Sequence, residues 1–238
     1  MIKYLRRISV FLFLLTMTIG QISAQEDVVE VDFNEEMKLA EQGDAEAQFN
    51  IGVYYSEGMG VEQDLEQSIY WYKKSAEQGF MFAQYNLGLC YYHGIGIAQD
   101  YKQAVYFWKK ASDQGYAPAQ FNLGICYISG QGVKKDVKKA LSLYKRSAEQ
   151  GFADAQFNLG YLYIDGKDVP EDPKQSAYWI KEAAEQGHPE SQFLLGAFYY
   201  DGYGVNRNLE LSKYWYKKAA EQGIEGAIEA LNEFNFEE

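Results

Sequence analysis

Apolar and small residues recur at helical spacing in two kinds of segment that alternate along the chain. Over 83–93, Leu87, Gly88 and Tyr91 fall on one face, since residues three or four apart are neighbours on a helix surface. After Asp100, a second face is formed by Ala104, Phe107, Trp108 and Ala111. The pattern predicts a pair of helices, here named helix A and helix B, joined by a glycine-containing loop.

The pair returns every 36 residues. Ala-Glu-Gln-Gly at 40–43 reappears at 76–79, 148–151, 184–187 and 220–223, and as Ser-Asp-Gln-Gly at 112–115. Glycine recurs at the same spacing inside helix A, at Gly52, Gly88, Gly124, Gly160 and Gly196. Self-similarity at this period is the signature of a repeat architecture. The sequence therefore predicts five repeats, at 40–75, 76–111, 112–147, 148–183 and 184–219.

Local signals mark the ends of these helices. Asp100 precedes helix B, and Asp64, Asp136, Asp172 and Asn208 hold the same slot, where a side chain can accept a free backbone N–H. Gly79 follows helix B and marks its end, because the position just after a helix favours glycine. Glycine inside a helix costs about 1 kcal/mol relative to alanine. The glycines of helix A therefore predict a close approach between that helix and a neighbour.

Two half-units close the ends of the array. Residues 33–41 match the second half of helix B, and residues 224–236 match helix A. The outer side of the second half-unit carries glutamates at 225, 229 and 233, as a solvated cap requires. We expect 33–236 to be a single solenoid domain in which 220–236 is the C-terminal cap.

The first 24 residues have the features of a secretory signal peptide. Three basic residues lie within 1–7, an apolar run of 13 residues occupies 8–20, and Ala24 is a small residue at the expected cleavage site. The run is shorter than the roughly 20 residues that span a bilayer; an uncleaved membrane anchor is the alternative. We expect cleavage after Ala24, a flexible leader over 25–32, and an exported protein, periplasmic or secreted, without stable membrane insertion.

The repeated pattern resembles the Sel-one-like repeat family, a relative of the tetratricopeptide repeat. In the second unit the match lies in Gln84, Leu87, Gly88, Tyr91, Gly94, Gly96, Asp100, Ala104 and Ala111. Equivalents recur every 36 residues, except that the fourth loop lacks the second glycine. The resemblance implies an all-α fold, a right-handed α-solenoid of antiparallel helix pairs with terminal capping helices. It also implies a concave surface lined by helix A, and a role as an adaptor that gathers other proteins.

Composition and charge narrow the function. The 238 residues include 22 Lys and Arg against 34 Asp and Glu, a net charge of −12 that becomes −15 without the signal peptide. A chain this acidic is a poor binder of nucleic acid or anionic lipid. Two cysteines alone give neither a disulfide scaffold nor a zinc site, and two histidines leave little for metal catalysis. We expect no cofactor or metal, no nucleic-acid partner, and a protein or peptide as the partner.

Helix A presents one apolar, tyrosine-containing stripe with amide side chains beside it. The stripe consists of Leu89, Tyr92, Ile125, Ile128, Tyr161, Ile164 and Tyr200, and the amides are Asn86, Asn122 and Asn158. Tyrosine supplies contact area at low entropy cost, and amides can hydrogen-bond the backbone of an extended peptide. These ten residues form the predicted protein-binding site on the concave face. The alternative is that the stripe packs between neighbouring repeats.

Two constellations are candidates for chemistry. Cys90 and Cys126 fill one apolar slot in consecutive repeats, and stacked helices lie farther apart than a disulfide allows, so we expect two buried thiols. Cys90 also shares a helix face with His93, as a Cys–His nucleophile would, but no third group orients the pair. Ser142 and Lys145 fit Ser-x-x-Lys, a motif of penicillin-binding enzymes, without its companion motifs.

These observations favour a non-enzymatic adaptor that binds a peptide or protein segment along helix A. One alternative is a cell-envelope hydrolase of the β-lactamase or penicillin-binding type. It rests on Ser-x-x-Lys and on the association of a cysteine-rich branch of the resembled family with such activity. Another alternative is a purely structural spacer, in which no surface binds selectively.

Overall fold

A computed structural model describes residues 33–167 and 169–234. The predicted signal peptide at 1–24 and the predicted leader at 25–32 lie outside the described residues, as does the end of the predicted C-terminal cap. The boundaries predicted for the domain and for the individual repeats remain predictions.

The described residues form twelve α-helices and no β-strand. They are α1 (Phe33–Glu41), α2 (Ala45–Glu57), α3 (Leu65–Glu77), α4 (Met81–His93), α5 (Tyr101–Asp113), α6 (Ala117–Ser129), α7 (Val137–Glu149), α8 (Ala153–Asp165), α9 (Pro173–Glu185), α10 (Pro189–Asp201), α11 (Leu209–Glu221) and α12 (Glu225–Glu233). The even-numbered helices are the A helices. The B helices are α3, α5, α7, α9 and α11, while α1 is the shorter N-terminal half-unit.

Consecutive helices pack against each other along the whole array, most closely within each A–B pair. One core cluster shows the arrangement: Ile69 and Tyr72 of α3 pack with Leu87 and Cys90 of α4. At the N-terminal end, Phe33 of α1 lies edge-on to Tyr55 of α2, with 5.7 Å between ring centroids. The all-α solenoid with capping half-units that the sequence predicted is confirmed.

The glycine inside each of the first five A helices makes room for a large side chain of the following B helix. A Cβ atom placed on Gly124 would lie 2.6 Å from Cε1 of Tyr144, far inside normal contact distance. The same relation joins Gly52 to Tyr72, Gly88 to Trp108, Gly160 to Ile180 and Gly196 to Tyr216. The predicted close approach is confirmed, and the neighbour is a bulky B-helix side chain.

The B helices begin and end as their sequences predicted. Asp100 accepts hydrogen bonds from the backbone N–H groups of Lys102 and Gln103, at 2.8 and 3.1 Å. The other four B helices are capped in the same way by Asp64, Asp136, Asp172 and Asn208. Gly79, just after α3, has φ +95°, a conformation that suits glycine and turns the chain into the next A helix.

A buried glutamine on each of the first five A helices connects three consecutive helices. Gln120, 1% exposed, donates from Nε2 to the carbonyl oxygen of Ser112 in α5 at 3.4 Å. Its Oε1 accepts from Nε2 of Gln150, the residue after α7, at 2.9 Å. The pair recurs as Gln48 and Gln78, Gln84 and Gln114, Gln156 and Gln186, and Gln192 and Gln222. We call these ten side chains the glutamine lattice; it satisfies amides that burial would otherwise leave unpaired.

Candidate functional site

The predicted stripe lies on the A helices, but not all of it reaches the surface. Asn122 and Leu89 are only 2% and 8% exposed, so neither offers a contact surface to a partner. The other eight predicted residues are partly buried. The stripe is therefore packed against neighbouring residues in some repeats and accessible in others.

The amides beside the stripe use their donors within the protein. Nδ2 of Asn86 lies 3.4 Å from the Tyr72 hydroxyl, and Nδ2 of Asn122 lies 3.5 Å from the Tyr85 hydroxyl. Asn158 hydrogen-bonds Tyr144 in the same manner. These bonds anchor tyrosines of neighbouring helices. They leave the predicted role of the asparagines, holding the backbone of a partner, without structural support.

The tyrosines at the two ends of the stripe are also engaged. The Tyr92 hydroxyl donates to Oε1 of Gln131 at 2.8 Å, and its ring packs 5.1 Å from that of Trp108. Burial raises the pKa of Tyr92 to about 12. Tyr200 stacks on Phe234, which follows α12, with 4.6 Å between centroids. Both rings help to hold the fold.

The middle of the stripe remains as the candidate site. Ile125 and Ile128 on α6, and Tyr161 and Ile164 on α8, are partly exposed side chains on two successive A helices. Burial, and to a lesser degree the charge of Asp165, raise the pKa of Tyr161, so its hydroxyl stays protonated at physiological pH. We call these four residues the central stripe. They present an apolar surface with one hydroxyl.

Charge is divided unequally between the two sets of helices. The six A helices contain nine Asp and Glu and no Lys or Arg. The five B helices contain fourteen Lys and Arg against eight Asp and Glu. The central stripe therefore lies on one helix without charged residues, α6, and one with only acidic ones, α8, whereas the positive charge of this acidic chain is concentrated on the B helices.

Both cysteines are buried free thiols, as predicted. Burial raises the pKa values of Cys90 and Cys126 to about 12. A thiol is nucleophilic only as thiolate, so neither residue has the reactivity of a catalytic cysteine near neutral pH. Burial also lowers the pKa of His93, which disfavours the imidazolium that would stabilise a neighbouring thiolate.

The buried thiols give a direct chemical prediction. We expect Cys90 and Cys126 in the native protein to react with a disulfide reagent at pH 8 at least about a hundredfold more slowly than after denaturation. The expected cause is that burial suppresses the thiolate and blocks access. The measurement is the rate of thionitrobenzoate release with and without guanidinium chloride. Rapid modification of one thiol in the folded protein would reopen the Cys–His hypothesis.

The other candidate for catalysis, the Ser-x-x-Lys motif, lies on an ordinary exposed helix surface. Ser142 is exposed on α7, and Nζ of Lys145 lies 3.9 Å from Oε1 of Glu149 one turn further on. The lysine is thus placed beside a carboxylate, on the same exposed side of the helix. This placement gives no support to Ser142 as an activated nucleophile.

His188 has a role that sequence reasoning missed. It precedes α10, and its Nδ1 accepts from the backbone N–H of Ser191 at 3.2 Å. Its Nε2 lies 3.4 Å from Asp154, and its ring stacks on Phe157 at 4.8 Å. Equivalent positions hold different residues, so the pattern gave no signal. The geometry describes a helix cap that joins two repeats.

Neither a metal site nor a membrane span is found among the residues that the structure describes. Among residues 33–167 and 169–234, no cluster of three or more His, Cys, Asp or Glu side chains is arranged to hold a metal ion. Within the same residues, every helix is too short or too polar to cross a bilayer.

Sequence comparison identifies the repeats. The Sel1 repeat profile matches residues 45–80, 82–116, 117–152, 153–188 and 189–224. Each match begins at or next to the first residue of an A helix, about five residues after the corresponding predicted boundary. Among curated proteins, none matches this chain.

Solved structures with the same repeat are similar over most of the chain. A protective antigen of uropathogenic Escherichia coli strains, described as displaying an SLR fold, is 40% identical with a TM-score of 0.81. The match covers 84% of this chain but only 43% of the antigen. A Sel1 repeat protein from Oxalobacter formigenes is 33% identical with a TM-score of 0.74, over 84% of this chain and 86% of that one.

More distant structures share the fold alone. An immunity protein from Pseudomonas aeruginosa is 22% identical with a TM-score of 0.52, and the match covers 85% of this chain and 78% of that protein.

Proposed function

This chain belongs to the Sel1 repeat family, whose members generally mediate protein–protein interactions, and we propose that it is a non-enzymatic adaptor. The proposed binding surface is the central stripe of Ile125, Ile128, Tyr161 and Ile164. The observation that carries the proposal is the partial exposure of these four side chains on two successive A helices. Apolar residues grouped at a surface are typical of interaction sites.

The partner proposed here is a protein segment that carries both apolar and basic residues. Apolar groups would bury the isoleucines, and Lys or Arg would lie near the carboxylates at the two ends of α8, Asp154 and Asp165. None of the six A helices contains a Lys or Arg that would repel such a segment. Complementary charge of this kind mainly raises the association rate and the specificity.

We further propose that the adaptor acts outside the cytosol, in the periplasm or after secretion. The support is the basic start at 1–7, the apolar run at 8–20 and the small residue Ala24. N-terminal sequencing of protein recovered from the source cells tests this proposal. A mature chain that begins at Gln25 is the expected result, and an intact Met1 in the cytosolic fraction would contradict it.

The binding proposal is tested with the variant Ile128→Asp/Ile164→Asp. A carboxylate at each position should prevent burial against an apolar partner, because an unpaired buried charge is strongly unfavourable. Wild type and variant are immobilised and exposed to envelope extract of the source cells, and captured proteins are identified by mass spectrometry. We expect at least one protein that wild type holds and the variant loses, with affinity reduced at least about tenfold.

A matched control separates the central stripe from exposed apolar residues in general. Leu39 and Met59 are 47% and 53% exposed and lie away from the stripe, so Leu39→Asp/Met59→Asp should capture the same proteins as wild type. Circular dichroism checks that each variant is folded, and Ile128→Ser/Ile164→Ser replaces the aspartates if they unfold the chain. Full capture by a folded stripe variant would contradict the proposal and favour a structural spacer.

A further inference from the structure

Four tyrosines form a regular exposed row on the B helices. Tyr70, Tyr106, Tyr178 and Tyr214 occupy the same position in four repeats, and they are 47%, 49%, 50% and 49% exposed. A single half-exposed tyrosine needs no explanation, but the same exposure at one register in four repeats does. Ser142 holds the equivalent position in the third repeat. We call the four side chains the tyrosine row.

Basic side chains accompany the tyrosine row in every repeat. A lysine lies three residues after each row position, at Lys73, Lys109, Lys145, Lys181 and Lys217. In the first two repeats the next lysine also lies over the ring: Nζ of Lys74 is 5.0 Å from the Tyr70 centroid, and Nζ of Lys110 is 4.6 Å from that of Tyr106. These cation–π contacts place positive charge beside the exposed aromatic surface.

Acidic residues border the same surface but do not cancel its charge. Lys145 pairs with Glu149 at 3.9 Å, and Lys181 pairs with Glu185 at 3.6 Å. All four side chains are about half exposed, and such surface pairs are weak and can exchange partners. The excess of fourteen basic over eight acidic residues on the B helices remains.

The middle repeat has the highest positive charge and lacks the tyrosine. Helix α7 carries Lys138, Lys139, Lys145 and Arg146 against a single acid, Glu149. The row therefore consists of a basic centre between two pairs of tyrosines, Tyr70 with Tyr106 and Tyr178 with Tyr214. This arrangement is complementary to a chain with an acidic centre and apolar ends.

We propose that the tyrosine row is a second docking surface, which binds an acidic protein segment that has apolar residues on both sides of its acidic centre. Tyrosine is among the commonest anchor residues of protein interfaces, and the surrounding lysines select a negatively charged partner. This surface is distinct from the central stripe, whose two helices carry no Lys or Arg. The two surfaces accordingly suit partners of opposite charge.

The test uses a defined probe and the whole purified protein. The probe is a fluorescein-labelled peptide with a central run of glutamates between two leucine-containing ends, and binding is followed by fluorescence anisotropy. We expect saturable binding that weakens as NaCl is raised. A peptide in which lysines replace the glutamates fits the central stripe instead, so serine substitutions in the tyrosine row should leave its affinity unchanged.

The differences between repeats suggest matched variants. Serine is already present at Ser142, so Tyr106→Ser/Tyr178→Ser should keep the fold and weaken binding of the acidic peptide roughly tenfold. Conversely, Ser142→Tyr completes the row and should strengthen binding several-fold. Met59→Ser, an equally exposed change in the loop after α2, should have no effect.

Several outcomes would overturn this inference. They are no binding of the acidic peptide, an equal loss of affinity for the lysine peptide in Tyr106→Ser/Tyr178→Ser, or unchanged affinity for the acidic peptide in both Tyr106→Ser/Tyr178→Ser and Ser142→Tyr. Binding to vesicles of phosphatidylglycerol without binding to the peptide would assign the row to a membrane surface instead. Ile128→Asp/Ile164→Asp should bind the acidic peptide normally, so a failure here is distinguishable from a failure of the A-helix proposal.

Discussion

Replacing Gln84 by glutamate is expected to lower the free energy of unfolding by roughly 4 kcal/mol near neutral pH, because it places a charge in the core beside neutral partners. Gln84 is 3% exposed and both donates and accepts within the glutamine lattice. A carboxylate cannot donate to the carbonyl oxygen of Ala76. It could still accept from Gln114, which is a neutral donor and does not balance the charge.

The penalty should depend on pH in a defined direction. Burial favours the neutral acid, so the folded-state pKa of the new glutamate should exceed the value of about 4.3 for an exposed glutamate. Between the two pKa values the folded state binds more protons than the unfolded state. The variant therefore loses stability relative to wild type as pH rises above about 4.3, by at most about 1.4 kcal/mol per pH unit.

Urea unfolding followed by circular dichroism at several pH values measures both effects. The control is Gln103→Glu, the same change at an exposed position of α5, which should alter stability little and show no such pH dependence. Equal behaviour of the two variants would mean that the glutamine lattice does not stabilise the repeats as inferred.

Replacing Gly124 by valine is expected to lower the free energy of unfolding by about 3 kcal/mol, through overpacking. The first added carbon would lie 2.6 Å from Cε1 and 2.8 Å from Cδ1 of Tyr144, a side chain that is 4% exposed. Neither α6 nor α7 can move without disturbing the repeats on both sides. The measurement is again urea unfolding of wild type and variant.

Two further variants isolate the cause of this loss. Ser129→Val puts the same side chain at an exposed position of α6 and should change stability by less than about 1 kcal/mol. In a double-mutant cycle, Tyr144→Ala should reduce the cost of Gly124→Val, because it removes the ring that the valine meets. Strict additivity of the two changes would argue against a direct clash.

The fold was predictable because the same pattern of residues occurs five times in the sequence. A single Gln84 or Gly88 has many possible explanations, but the same residue types at the same spacing in each unit leave few. The packing partner of Gly88 could not be named, since only the structure shows that Trp108 fills the space. The repeat period and the capping residues therefore predict where the helices begin and end, whereas the contacts between helices are known only from the structure.

The candidate site was predictable only in part. Residues 36 positions apart occupy the same place on successive A helices, yet Leu89 is buried while Ile125 and Tyr161 are partly exposed. The difference depends on neighbouring side chains that vary between repeats. Tyr200 is covered by Phe234, a residue in the terminal half-unit. The tyrosine row was not predicted, because the exposure of one side of helix B cannot be read from spacing alone.

The glutamine lattice also bears on how the chain folds. The two hydrogen bonds of Gln120 reach partners only eight and thirty residues away along the sequence. Contacts this local close short loops, so little chain entropy is lost before they form, and folding of such topologies is fast. We expect structure to nucleate within any repeat and spread to its neighbours, so a growing chain can fold unit by unit as it is synthesised.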